Sequence, residues 1–580
     1  MRYLRMLTNA VAGGVLLPTY IVILVLQLNP EVPTLSVTAA RWAGAVLAFY
    51  VPYVTVALYF LILGRELIAA RPLHPGWLSN RLLAWLGAAG VSAAALLMWA
   101  NLDAYQSLLT PAAAQRMRDG AWAATICAAV LAAIAVVRYS FGRHGSRATA
   151  VMLGVTLVTS VAAPLWLRGS GETPVHLTPR FSPPALLFAM PRVRVIALDG
   201  ASLGFVRQRV GAGQLPNFGR LLDRGAAIDL ATLRPTQVDP VWVATATGKL
   251  PQQNGVRSDS IYTVTPGDAD VVDVLPDYCF AYALVDQGFI RRAPRPSASL
   301  TARPLWEILG DYGVTSGVAN WPMTWPARTR LGYVLSDQLD EAARSPLRLA
   351  DAHAGAPTTA VDVARETFDR WQAEPWHRVL TTFSRGEVEP VNVNRARWDR
   401  AYADSAAALE RQFGPRFSAV RYEGLEAFGH THLRQAQPEL FGDPRRISPG
   451  RSVLDRYYSY LDGEIGRAIR ALAPDDLLLV VSGFGMDPTP LSKRLLSRVR
   501  GEPDWTGTHE NGPDGFLLAY GTNVAMGQLP GGSIVDVAPT VLYYYGIPVG
   551  RDMDGYARTD VFAATFSVEQ PVKYVASHER

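Results

Sequence analysis

Cysteine is nearly absent from this 580-residue chain, which has only two. Cys127 falls in an apolar segment and Cys279 is far from it in sequence, so a disulfide framework and a cysteine zinc site are both excluded. Charge is also scarce. Only 18% of residues are charged against 49% hydrophobic, where ordinary soluble domains carry roughly 25% charge, and the shortfall implies a membrane part. Basic excess is missing from most of the chain as well: residues 1–190 hold 13 Lys+Arg against 5 Asp+Glu, while the remainder holds 42 against 45. The globular remainder is slightly acidic, which excludes a basic nucleic-acid groove. No internal repeat or low-complexity tract is evident.

What is present begins with five apolar segments of roughly spanning length: Thr8 to Leu28, Trp42 to Gly64, Leu82 to Leu102, Ala121 to Val137 and Ala148 to Leu167. The first is too long for a signal peptide and lacks a small-residue cleavage site, so it reads as a retained span. Arginines gather at Arg2 and Arg5, at Arg65, Arg71 and Arg81, and at Arg138, Arg143 and Arg147. These are alternate connections and share one side, which by the positive-inside rule is the cytoplasm. The amino terminus is thus expected inside, with the large domain outside, periplasmic or extracellular. Pro, Gly, Ser and Thr enrich residues 169–190, the pattern of a linker.

From residue 191 the pattern changes to alternating strands and helices. Val193 to Leu198 is a near-continuous apolar run that ends in Asp199-Gly200, the signature of a buried parallel strand delivering an acid to the sheet rim. Leu215 to Gly225 reads as a helix, and Thr315 to Val318 and Leu477 to Ser482 read as strands. Between Arg451 and Ala473, Leu454, Tyr457, Tyr458, Leu461, Ile465 and Ile469 recur at helical spacing. The expected fold is α/β, with a mostly parallel sheet flanked by helices and preceded by about five transmembrane helices. The expected boundaries are 1–168 for the membrane region, 169–190 for the linker, 191–566 for the α/β domain and 567–580 for a tail.

Four stretches carry candidate chemistry, and each has an ordinary structural explanation beside it. Asp199 alone would be a turn residue. Gly200 to Gly204, GASLG, matches a nucleophile elbow with Ser202 as nucleophile and a distant histidine such as His509 as base, although such an elbow follows a mid-sheet strand and this strand opens the domain. Residues 234–258, RPTQVDPVWVATATGKLPQQNGVRS, lead from a polar loop into a helix that stops at Gly248 and could hold a phosphate at its amino terminus. Its TGKL is not a P-loop, since the preceding glycine and the following Ser or Thr are missing. In RYEGLEAFGHTHL, residues 421–433, a helix would put Glu426 and His430 on one face, suited to gripping one cation. The loop GTHENGPDGF, residues 507–516, carries His509.

In their order, VIALDGAS, LPNFGRLLDRGA, VWVATATGKLPQQNGV, YEGLEAFGH, VVSGFGMDP and GTHENGPDGFLLAYG resemble the alkaline phosphatase superfamily, in its type I phosphodiesterase/nucleotide pyrophosphatase branch, over nearly all of 191–562. The resemblance implies an alkaline-phosphatase-like domain that binds two metal ions, commonly zinc, flanking a Thr or Ser nucleophile. It implies that Glu426, His430 and His509 hold one ion, and that Asp199 is the first ligand of the other. The family's SDHG motif is Ser482, Gly483, Phe484 and Gly485 here, so two ligands of that other site are missing. Counting back from Trp242 puts Val238 at the nucleophile position, with Thr236 two residues off and Asp239 one off.

The resulting expectation is a membrane-anchored, metal-dependent phosphodiester hydrolase or transferase, working through one divalent ion, zinc by family, or through two. Glu426, His430 and His509 are its ligands, with Asp199 as an additional ligand or as the group that orients water, and Thr236 is the hydroxyl best placed for covalent catalysis. The expected partners are a phosphate-ester substrate, lipid- or glycan-linked at the bilayer surface, and the membrane, with no nucleic acid. The alternative is a degenerate member that keeps the fold without the chemistry and serves as a binding or assembly subunit.

Overall fold

A computed structural model of the chain describes residues 2–68, 77–140, 147–168, 190–267, 269–276, 278–339, 353–374, 390–442, 452–500 and 505–579. The chain divides into two compact units, Met1–Pro174 with Ser260–Arg295, and Val175–Asp259 with Pro296–Arg580. The stretch expected as a linker, apart from Met190, lies outside the described residues.

Among the described residues of the first unit, five helices are long and apolar enough to cross a bilayer: α1 (Arg2–Leu28), α2 (Val37–Ile68), α3 (Asn80–Tyr105), α4 (Pro111–Ala133) and α5 (Arg147–Leu167). Each overlaps one of the apolar segments. Pro18, Pro52 and Pro164 lie inside α1, α2 and α5, as membrane helices tolerate. Residues Ser260–Arg295, which the sequence boundaries put in the α/β domain, cluster instead with these helices. They form a small antiparallel sheet in which Ser260–Val264 pairs with both Val271–Val272 and Ile290–Pro294, together with a helix over Cys279–Asp286. Polar bonds tie them down: Asn29, just past α1, accepts from the N–H groups of Asp273 (3.0 Å) and Val274 (2.9 Å) and donates to the Val274 carbonyl at 2.7 Å. Trp42 donates to the Asp270 carbonyl at 3.0 Å, and the Tyr278 hydroxyl to Asn101 at 2.9 Å.

The second unit is built on one large sheet. Its main strands are β1 (Val193–Leu198), β2 (Ala226–Ala231), β3 (Ser316–Trp321), β4 (Gly332–Ser336), β5 (Phe417–Tyr422), β6 (Leu477–Phe484) and β7 (Asp514–Tyr520), in the order β2-β7-β6-β1-β5-β3-β4. β1 is central and parallel to both neighbours, β6 and β5, as its unbroken apolar run requires. β7 runs antiparallel to β6 and β2. The helix over Val453–Arg470 starts at a capping box between Ser452 and Asp455. It buries Leu454, Tyr457, Tyr458, Leu461, Ile465 and Ile469 in the core with Ile196, Leu198, Leu478 and Val480 of the sheet. Residues 567–580, expected as a tail, contribute Tyr574–Val575, which pairs in parallel with Val549–Gly550.

The registers of β1, β5 and β6 decide where the chemistry collects. Leu198 lies opposite Tyr422 on one side and Ser482 on the other. The residues that follow each strand therefore share one rim, the place where ligands bind in parallel α/β sheets.

Candidate metal centre

Glu426 and His430 lie on α6 (Gly424–Ala436), which follows β5 directly. A spacing of four puts both on one helix face, and the structure places His430 Nε2 3.5 Å from Glu426 Oε1. His509 arrives from the loop after the two-residue strand Gly507–Thr508, with its Nε2 3.1 Å from the same carboxylate oxygen. The three ligand atoms all lie within 4.8 Å of one another. Each imidazole is anchored from behind, His430 Nδ1 on the Gly507 carbonyl at 2.8 Å and His509 Nδ1 on the Thr236 carbonyl at 3.0 Å. A carbonyl can only accept, so both Nδ1 atoms carry the proton, and in the neutral rings both Nε2 lone pairs point at an anionic oxygen.

That arrangement is repulsive unless a cation sits within it. A proton on one ring supplies a weak remedy, and a divalent ion held by all three groups supplies a complete one. The donor set is the His₂Glu composition of zinc sites with one open position, and carbonyls holding the remote nitrogens are the usual support of metal-binding histidines. The fit to a metal ion is therefore good. Burial opposes ionisation of Glu426, yet His430 and His509 outweigh it and hold the carboxyl well below the usual range. Burial likewise opposes charging of His509, but Glu426 pushes it up to about 9. The side chains keep 14% (both histidines) and 21% (Glu426) of their surface open. The Trp505 ring lies 4.6 Å from the His430 ring.

Asp199 follows β1 on the same rim but does not join this cluster. It is fully buried: Oδ1 accepts from the Trp242 indole N–H at 2.5 Å, and Oδ2 lies 3.3 Å from Nε of Arg421 on β5. Burial pushes its carboxyl well above the ordinary range, and the Arg421 guanidinium is the main opposing influence. Gly200 has φ 75° and packs so closely that a Cβ would stand 3.1 Å from Glu426 Cα, so only glycine brings β1 this near to α6.

The family model described as type I phosphodiesterase / nucleotide pyrophosphatase matches residues 193–519. The chain belongs to this family. Among solved structures, human ectonucleotide pyrophosphatase / phosphodiesterase 5 is similar at 11% identity, over 64% of this chain and 100% of that chain, with a TM-score of 0.37. A search of curated proteins finds no match.

The positions that the phosphodiesterase resemblance assigns to a second ion are closely packed. A Cβ on Gly483, where the family motif has its Asp, would stand 2.4 Å from Val241 Cγ1. The space for that carboxylate is filled by a valine. Phe484, where the motif has its His, is fully buried with its ring 5.0 Å from that of His509. Thr236 is equally enclosed. Its hydroxyl is buried and donates to the Leu233 carbonyl at 2.8 Å, while its own carbonyl holds His509. The structure thus places Thr236 behind the His509 ring, with its hydroxyl turned away from the cluster. The Ser202–His509 pairing of the elbow reading does not form: the Ser202 N–H donates to the Tyr458 hydroxyl, and both His509 nitrogens are engaged elsewhere. Asp239, in the first turn of the helix Val238–Thr247, is pushed well above the usual carboxylate range by burial and then by Asp259 and Asp337.

Arg421 was not a candidate in the sequence. The signal that could have found it is a cation inside FSAVRY, an otherwise apolar or neutral strand whose residues are nearly all buried. A charge there needs a partner at the rim.

Proposed function

We propose that this protein is a membrane-anchored phosphodiesterase that depends on one divalent ion, zinc by its donor set, held by Glu426, His430 and His509. The observation that carries the proposal is the convergence of two histidine Nε2 atoms on one carboxylate oxygen, each ring locked by a backbone carbonyl. When bound, the ion supplies Lewis acidity toward phosphoryl oxygens. The chain supplies the rest. Thr236 and Gly507 fix the two rings through their carbonyls, and Trp242 and Arg421 hold the Asp199 carboxyl beside the centre. With the Thr236 hydroxyl turned into the protein, the attacking group is water and the reaction is hydrolysis in a single displacement.

The five apolar helices support membrane anchoring, and the arginine distribution supports an amino terminus in the cytoplasm with the catalytic domain outside. Substrates at a bilayer surface, with a phosphodiester on a lipid or a lipid-linked glycan, suit that placement. The decisive experiment is metal content of the detergent-purified protein after chelator washing and zinc reloading, with bis(4-nitrophenyl) phosphate hydrolysis measured alongside. About one zinc per chain, lost together with hydrolysis in His430→Ala and in His509→Ala, supports the proposal. Absence of zinc overturns it. The packing of Val241 and Phe484 into the second ion's place favours a second reading, a non-catalytic binding subunit. Bound zinc with no hydrolysis of any phosphodiester would select it.

A further inference from the structure

A cation already occupies the rim where the family motif is missing. Arg421 is 5% exposed. Its guanidinium faces Asp199 through Nε and donates to Glu423 through Nη2, and Arg395 donates to the other Glu423 oxygen. Asp239 and Asp337 add their field from further away. Four acids thus surround a charge that never titrates in the physiological range. This is the environment a metal ion would need, provided by the side chain of a neighbouring strand.

We propose that Arg421 is the resident cation of the second half-site, taking the place of a metal ion, so that the protein binds one exchangeable ion and Asp199 is not a ligand. This builds on the one-ion reading of the first centre but stands on separate observations. The Asp199 oxygens face Trp242 and Arg421. Val241 blocks the position of the motif carboxylate and Phe484 replaces the motif imidazole with a ring that cannot ligate. A divalent ion brought next to a buried guanidinium would meet strong like-charge repulsion at low dielectric. In the presence of Arg421 the half-site is therefore closed to metals, and in its absence the acids are left without their counter-charge.

The test is zinc content at saturation for the full-length protein in detergent, with folding checked by circular dichroism. Wild type and Arg421→Lys are expected to hold one ion, and Asp199→Asn to keep it. Arg421→Ala is expected to gain a second ion, which Arg421→Ala/Asp199→Asn loses again. Two ions in wild type with one lost in Asp199→Asn would overturn the proposal, as would a folded Arg421→Ala that gains none. If Arg421→Ala does not fold, the wild-type and Asp199→Asn contents decide it. Failure of the first-centre reading looks different: wild type then holds no zinc, while the Arg421 proposal is still judged by whether Arg421→Ala gains an ion that Asp199→Asn removes.

Discussion

Replacing Gly507 with alanine adds one methyl group and should cost the metal centre most of its affinity. The two-residue strand Gly507–Thr508 lies directly on α6, and a Cβ on Gly507 would stand 2.4 Å from the Gly429 carbonyl oxygen and 3.2 Å from Leu433 Cβ. Both atoms belong to α6, one to its backbone and one to the first carbon of a buried side chain, so neither is a flexible end that could give way. To reach ordinary contact the strand must retreat by about 1 Å, which lengthens the bond from His430 Nδ1 to the Gly507 carbonyl from 2.8 Å to about 3.8 Å, beyond hydrogen-bond range. Freed from its carbonyl, the His430 ring can rotate and take up the other tautomer. Losing such a support typically lowers metal affinity about 10–100-fold, or about 1.4–2.8 kcal/mol. Zinc affinity measured by competition with a chromophoric chelator reads this directly. Gly204→Ala is the control, because its added methyl meets nothing closer than 3.9 Å. An affinity for Gly507→Ala within twofold of wild type would refute the claim that the carbonyl orients His430.

Zinc affinity should also depend on pH in a direction the structure sets. Glu426 holds His509 protonated up to about pH 9, and zinc must displace that proton, so apparent affinity is expected to rise about tenfold per pH unit from neutrality toward 9 and then level off. A flat profile between pH 7 and 9 would show that His509 is not a ligand. Restoring the family aspartate by Gly483→Asp should destabilise the domain. The clash with Val241 at 2.4 Å alone costs about 1–3 kcal/mol and the buried carboxylate adds to it, so thermal melting should move down by several degrees, with partial recovery in Gly483→Asp/Val241→Ala. In the first unit, Asn29→Ala leaves the N–H groups of Asp273 and Val274 without their acceptor, at about 1–3 kcal/mol each. Limited proteolysis in detergent should then cut within residues 260–295 faster than in wild type, and an unchanged rate would mean that Asn29 does not secure that segment.

Patterns that repeat along the chain determined much of this protein. The five apolar segments, the run from Val193 to Leu198, the stripe from Leu454 to Ile469 and the Glu426/His430 spacing all report which face of a local element is buried or shared, and each lies where its periodicity puts it. His509 was legible as a partner of Glu426 and His430 only through family order, because nothing in a glycine-rich loop says which helix it will meet. The tertiary structure decided the rest, since it alone sets what stands opposite a given face. It turned the Thr236 hydroxyl inward and made its carbonyl a support for His509. It joined Ser260–Arg295 to the apolar helices in one unit, through bonds such as those of Asn29 that join residues far apart in sequence. It also set Arg421 against Asp199, because β5 and β1 are neighbours in the sheet although more than two hundred positions separate those residues in the chain. Strand order is a long-range closure, and no local spacing encodes which side chain will fill a vacated metal site.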